Sequence, residues 1–180
     1  MDRKTALALV EEKVTNKNLV KHCLAAEACM KKLAVHFGED ADTWALAGLL
    51  HDLDYEETKN DFSRHGPATA ELLKGKVDKA ILNAIVAHAG QRDRETLLDK
   101  ALYAVDPITG LIVASALIRP EQRLSAIDAA FVLNRFEEKR FAAGADRDQI
   151  RQCEMLGLSL EEFSGMCLSA MQEIAPALEL

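Results

Sequence analysis

Five histidines occur in the chain, and four of them, His22, His51, His65 and His88, fall where a helix-forming segment enters or leaves an apolar region. His51 is followed at once by Asp52, at the end of ALAGLLHDLDY, a run that is apolar almost all round. A carboxylate set among such neighbours costs on the order of several kcal/mol unless it is paired or bound to a metal. Imidazole and carboxylate together suit divalent Mn, Fe, Co, Ni or Zn, with Mg accessible where carboxylates and water dominate. Adjacent side chains on an ideal helix point about 100 degrees apart, so His51 and Asp52 could share one ion only where the helix ends and the chain relaxes. His36 matches no such position and is expected to be exposed.

The segments that must position these groups read as helices, because alternating strand patterns are almost absent and Ala and Leu dominate the periodic stretches. A first helix is expected over 4–14 and a second over 18–37, ended by Gly38. Leu19, Cys23, Ala26, Met30, Leu33 and Phe37 form one stripe of that second helix, with His22 at its edge. The third, apolar all round, delivers His51 and Asp52 at its buried C-terminal end. Residues 60–64 read as a loop, His65-Gly66-Pro67 opens a fourth helix to about Lys74, and a fifth spans 78–89 with Ile81, Ile85 and His88 on its inward face. LLDKALYAV and PITGLIVASALI are separated by Asp106-Pro107, which predicts a kink or a restart. Further helices are expected over 123–141 and 146–156, and Ser159 to Glu162 is a capping box opening the last. The organisation is one domain, a core over about 15–120 and a C-terminal helical extension over about 121–180. Trp44, Tyr55 and Tyr103 read as packing residues.

Twenty-two Lys and Arg against 29 Asp and Glu give a formal net charge of −7, which opposes broad attraction to nucleic acid or an anionic membrane. The N-terminal segment never develops the apolar core of a secretory signal, and Cys23, Cys29, Cys153 and Cys167 contain no Cys-x-x-Cys pair. A cytoplasmic setting, no membrane association and buried, reduced thiols are the expectation.

Each candidate also has a plain structural reading. His22 could be a helix-edge histidine, His51 a residue favoured by the helix dipole, and His65 the opening of a helix. Asp106 could be the N-cap of a helix that starts at Pro107.

The ordered set (a histidine on an early helix, His-Asp closing an apolar helix, His-Gly-Pro, a further histidine and a distant Asp) resembles the HD superfamily of metal-dependent phosphohydrolases. LLHDLDYEE together with YAVDPITGLIVASALIRP resembles a bacterial, HDIG-like branch of HD hydrolases, and the similarity extends into the tail FEEKRFAAGADRDQIRQCEMLGLSLEEF. The resemblance implies an all-α HD-domain bundle. It implies that His22, His51, Asp52 and Asp106 hold one divalent ion, and that His65 and His88 serve a second, with Asp52 bridging.

His51 and Asp52 are thereby the catalytic candidates, and a metal-activated water would attack a phosphomonoester or phosphodiester of a small phosphorylated metabolite or nucleotide. Lys59, Arg64 and Arg92, in loops beside the histidines, are candidates for holding substrate phosphate, with Arg119 a further one. Two features depart from the family pattern. His51-Asp52-Leu53-Asp54-Tyr55 stands where many HD enzymes read His-Asp-Ile-Gly-Lys, and the Gly-Tyr-Pro motif of cyclic-dinucleotide phosphodiesterases is missing. The same ligands would also serve a di-iron HD oxygenase, and a non-catalytic, ligand-sensing HD module is the reading from another class. Oligomeric state does not follow from the residues.

Overall fold

The chain opens with α1 (Arg3–Lys13), capped by the Asp2 carboxylate, and α2 (Lys17–Phe37), capped by Asn16 and ended by Gly38 in the left-handed region at φ 70. A two-pronged pair from Arg3 to the buried Glu27 pins α1 to α2. In this computed structural model, which describes residues 1–180, no strand occurs and the fold is all helical.

Helix α3 (Ala41–Leu50) lies against α2 at a distance that only glycine permits. A Cβ on Gly48 would stand 2.6 Å from the Ala26 carbonyl oxygen. This close approach sets the C-terminal end of α3, and with it His51, into the core.

A single turn, α4 (Tyr55–Thr58), and a 3-10 turn over Phe62–Arg64 lead into α5 (Pro67–Leu73) and α6 (Lys79–His88). The expected boundaries hold to within a residue or two. Part of the expected loop at 60–64 is thus a 3-10 turn. His51, His65 and His88 are buried and His36 is exposed, as their positions on these elements predict.

The expected break at Asp106-Pro107 does not occur. Helix α7 (Leu97–Leu117) runs straight through it, with Pro107 inside, so Asp106 is not an N-cap. Pro107 has no amide hydrogen to give to the Tyr103 carbonyl, four residues earlier. Gln149 supplies the missing donor: its Nε2 reaches the Tyr103 oxygen at 2.8 Å. By length and composition α7 is apolar enough to cross a bilayer, yet 61% of its apolar window is buried and it forms the middle of the bundle.

The extension is more broken than the sequence pattern suggests. In place of one helix over 123–141 there is a 3-10 turn over Leu124–Ala126 and α8 (Ala129–Glu137), because Asp128 caps the Phe131 amide and starts the helix late. The C-terminal carbonyls of α8 are taken by the Arg147 guanidinium, which reaches Arg135 and Phe136. Then come α9 (Arg147–Arg151), a 3-10 segment over Gln152–Leu156, α10 (Leu160–Glu173) behind the Ser159–Glu162 capping box, and α11 (Ala175–Leu178). Pro176 ends the continuity that the apolar stripe down to Leu178 suggests. All four cysteines are free and buried, and Trp44 belongs to the core.

Candidate metal centre

Three helices and two helix ends bring six side chains together. His22 comes from the first half of α2, His51 and Asp52 from the end of α3, His65 from just before α5, His88 from the last turn of α6, and Asp106 from the middle of α7. The donor atoms of His22, His51, Asp52 and Asp106 lie within 4.8 Å of one another, as do those of Asp52, His65 and His88. Asp52 belongs to both groups. Its carboxylate is ringed by four imidazole Nε2 atoms, at 3.5 Å from His22, His51 and His88 and 3.6 Å from His65. Those gaps exceed a hydrogen bond, whereas an ion bonded to both atoms at about 2.0–2.2 Å spans them.

The tautomers point the same way. His51 Nδ1 donates to the Gly48 carbonyl at 2.8 Å and His88 Nδ1 donates to the Ile85 carbonyl at 2.5 Å. His65 Nδ1 donates to the Asp54 carboxylate at 2.8 Å. The Thr109 hydroxyl is spent on the Asp106 carbonyl, so its oxygen accepts from His22 Nδ1 at 2.9 Å. Every Nδ1 is thus a donor, and in neutral rings every Nε2 turns a bare lone pair inward. The Nε2 atoms of His22 and His51 face each other at 3.1 Å, an arrangement that repels unless a proton or a metal ion lies between them. His88 Nε2 is buried with no hydrogen-bond partner. The donor set and its orientation therefore fit a divalent cation, with oriented imidazoles of the kind metal sites use.

Charge balance in the metal-free state follows from the same geometry. Burial opposes protonation of His51, but the Asp52 and Asp106 carboxylates outweigh it and raise its pKa from 6.5 to about 9. Burial likewise opposes ionisation of Asp52, yet His51, His88 and His22 hold it down at about 2. Asp106 lies well below the ordinary carboxylate range despite desolvation, through its contacts with His22 and His51.

Access is one-sided. The His51 side chain has no exposed surface, while that of His22 is 20% and that of Asp106 32% exposed. Those two open onto a cavity of about 390 Å³ lined also by Asp52, Leu19, Tyr55, Pro107 and Gly110, and by Ala142, Gly144 and Ala145 from the extension. Tyr55, expected as a packing residue, is 39% exposed and stands edge-on to the His65 ring. Arg147 fixes the wall from the extension, donating to the carbonyls of Phe141, Ala142 and Ala145.

No lysine or arginine lines this cavity. Lys59 closes α4 and is exposed, Arg64 is exposed at the end of its 3-10 turn, Arg92 pairs with Glu95, and Arg119 pairs with Glu121. The structure brings the six histidine and aspartate residues together and leaves these cations outside the lining.

Several contributors were not anticipated from sequence. Asp54 accepts from His65 Nδ1 and from the Gly66 and Thr69 amides, at 2.8–2.9 Å. Burial raises its pKa, but these bonds prevail and lower it. The signal was present: Asp54 follows the same apolar run as Asp52, and the buried-carboxylate argument applies to both. Thr109 and Gln149 carried no such signal, because their roles depend on contacts across the bundle.

An all-helical bundle that closes histidines from four elements round one aspartate defines a class of metal-dependent hydrolases. The chain belongs to the HD-domain family, whose family model, HD domain, matches residues 19–142. It is similar to the symmetrical bis(5'-nucleosyl)-tetraphosphatase of Bacillus subtilis (strain 168), with 30% identity over 130 residues, 60% of this chain and 69% of the relative. Ribonuclease Y 2 of Pediococcus pentosaceus is 29% identical over 94 residues, covering 52% of this chain and 18% of the relative. Ribonuclease Y of Clostridium perfringens (strain 13 / Type A) is 28% identical over 113 residues, covering 62% and 21%. The comparison with solved structures returned no match. With its family and its relatives, the chain is a metal-dependent hydrolase of phosphoester bonds.

Proposed function

We propose that the protein hydrolyses a small phosphorylated metabolite, with a nucleotide as the favoured class, as a phosphomonoesterase or phosphodiesterase. The observation that carries this reading is Asp52 enclosed by four inward-facing Nε2 atoms on the floor of a cavity. His22, His51, Asp52 and Asp106 would hold one divalent ion, and Asp52, His65 and His88 a second. Mn, Fe, Co, Ni, Zn and Mg all suit such a set. Bound there, divalent ions would supply a water activated for attack at phosphorus and positive charge to offset that on the leaving oxygen.

The chain's own residues do the rest. Gly48, Ile85, Asp54 and Thr109 hold the four rings in the tautomer that leaves Nε2 free. His22 and Asp106, the exposed members, face the entering phosphate, and Leu19, Pro107 and Ala142 exclude water around it. A nucleotide is favoured because the Bacillus subtilis relative is a bis(5'-nucleosyl)-tetraphosphatase. A small substrate is favoured over a long nucleic acid by the net charge of −7 and by a cavity lining without cations. Four free, buried thiols support a reducing, cytoplasmic setting.

The test is a turnover screen with added Mn or Mg against nucleoside phosphates, dinucleoside polyphosphates and generic phosphoesters. Metal-dependent release of phosphate or nucleotide, absent from folded Asp52→Ala, is the expected outcome. Inactivity of metal-loaded wild type toward every phosphoester would overturn the proposal.

A further inference from the structure

Glycine in a helix interior is less stable than alanine, so a glycine there usually answers a demand for space. Gly110 sits inside α7, one turn beyond Asp106. At Gly48 the demand is packing, since a Cβ would collide with the α2 backbone. At Gly110 it is not: an added Cβ would have nothing within 4 Å. The free volume above it belongs to two cavities at once.

One is the cavity over Asp52 and Asp106; the other, of about 340 Å³, lies further along α7. His22 and Gly110 line both, so the two are lobes of one cleft that meet over the glycine. The second lobe is walled by Ala25, Val113, Leu117 and Leu178, and its polar groups include Asn18 and Lys21. Leu117 is 46% exposed there, an apolar side chain with no chain segment covering it. Lys21 is the one lysine or arginine lining either lobe, and it pairs with Glu179 at 2.5 Å. Small-molecule sites combine an apolar wall with a few polar groups in this way.

We infer that the second lobe is the subsite for the organic group of the substrate, a nucleoside, lying across Gly110 while its phosphate sits in the first lobe. The inference rests on the phosphohydrolase reading and deepens it. A flat base packs on Val113 and Leu117, with Asn18 and the Lys21–Glu179 pair placed to hydrogen-bond its edge or the sugar. An added Cβ at position 110 meets nothing within 4 Å, and a larger side chain there would narrow the passage between the lobes.

The experiment titrates AMP and inorganic phosphate separately into the metal-loaded full chain, for wild type, Gly110→Ala and Gly110→Leu. Wild type is expected to bind AMP at least about tenfold more tightly than phosphate, and Gly110→Leu to lose that advantage while its phosphate affinity stays within about twofold. Gly110→Ala falls between them. The melting temperatures of both variants, expected at or above wild type, show that the fold is intact. Equal affinity of wild type for AMP and phosphate, no binding of either, or an equal effect of Gly110→Leu on both ligands would overturn the subsite. Because binding is read and not turnover, that failure is distinct from failure of the phosphohydrolase reading, which falls when wild type turns over no phosphoester.

Discussion

The two halves of the candidate metal centre are held in different ways. On the closed side, His51 and His88 are oriented by carbonyls three residues earlier in their own helices, and His65 by Asp54, eleven residues away. On the open side, the orienting partner of His22 is Thr109, 87 residues away, and Gln149, 43 residues from Asp106, reaches an Asp106 oxygen at 3.4 Å as well as the Tyr103 carbonyl. The closed half is therefore built by local structure once α3, α5 and α6 pack. The open half depends on contacts across the bundle, from α7 to His22 and from the extension, through Gln149, to Asp106.

Asp52 is common to both halves, so Asp52→Ala gives the largest effect: turnover falls to background and metal analysis shows loss of ions from both groups. Next in size is Asp54→Ala, which attacks the closed half alone. It leaves His65 Nδ1 and two buried amides without an acceptor, and at about 1–3 kcal/mol for each unsatisfied donor the protein loses at least about 3 kcal/mol of stability. Denaturant melts measure it; a loss under about 1 kcal/mol would show that the closed half is not locked as described.

Proton linkage sharpens the contrast between the metal-free and metal-loaded protein. The folded pKa of His51, about 9, lies above its ordinary 6.5, so its contribution is complete below pH 6.5 and disappears as pH rises through about 9. Asp52 runs the other way: its contribution is present above 3.8 and is lost as pH falls through about 2. Chelated protein is expected to lose stability on the alkaline side, and metal-loaded protein, in which a divalent ion takes the place of the proton, is not. Melting curves of the two forms from about pH 6 to about pH 10 test this, and parallel curves would contradict it.

Substitutions in the open half act more weakly on the fold and more selectively on the site. Gln149→Ala removes the donor that replaces the proline-lost hydrogen bond and is expected to weaken metal binding by about tenfold, at about 1 kcal/mol of stability. Thr109→Val, nearly isosteric, frees the His22 ring to turn and gives the smallest effect, less than about tenfold in metal affinity. Metal titration of Gln149→Ala decides whether the extension reaches the site energetically, and that of Thr109→Val whether α7 orients His22 for the ion.

The same division explains what could be read from the residues. Helices ended by Gly38, opened by Pro67 or boxed by Ser159 and Glu162 are governed by contacts within a few residues, and they appear as the pattern requires. His51-Asp52 and the inward His88 were legible for the same reason. The continuity of α7 through Pro107 was not, because it depends on a glutamine 42 positions further along the chain. The late start of α8 is a local cap, the Asp128 carboxylate accepting from the Phe131 amide three residues on, a signal present in the residues that the helical periodicity over 123–141 masks. Proximity in sequence put Lys59, Arg64 and Arg92 beside the histidines, whereas the cavity over His22 and Asp106 is lined by none of the three.

The most direct test is an anomalous difference map from crystals of the chain grown with Mn. One peak bonded to His22, His51, Asp52 and Asp106, and a second joined to it through Asp52 and held by His65 and His88, are the expected result, with imidazole bonds of roughly 2.0–2.3 Å. A map with no peak inside the ring of Nε2 atoms, in crystals that hold Mn elsewhere, would contradict it.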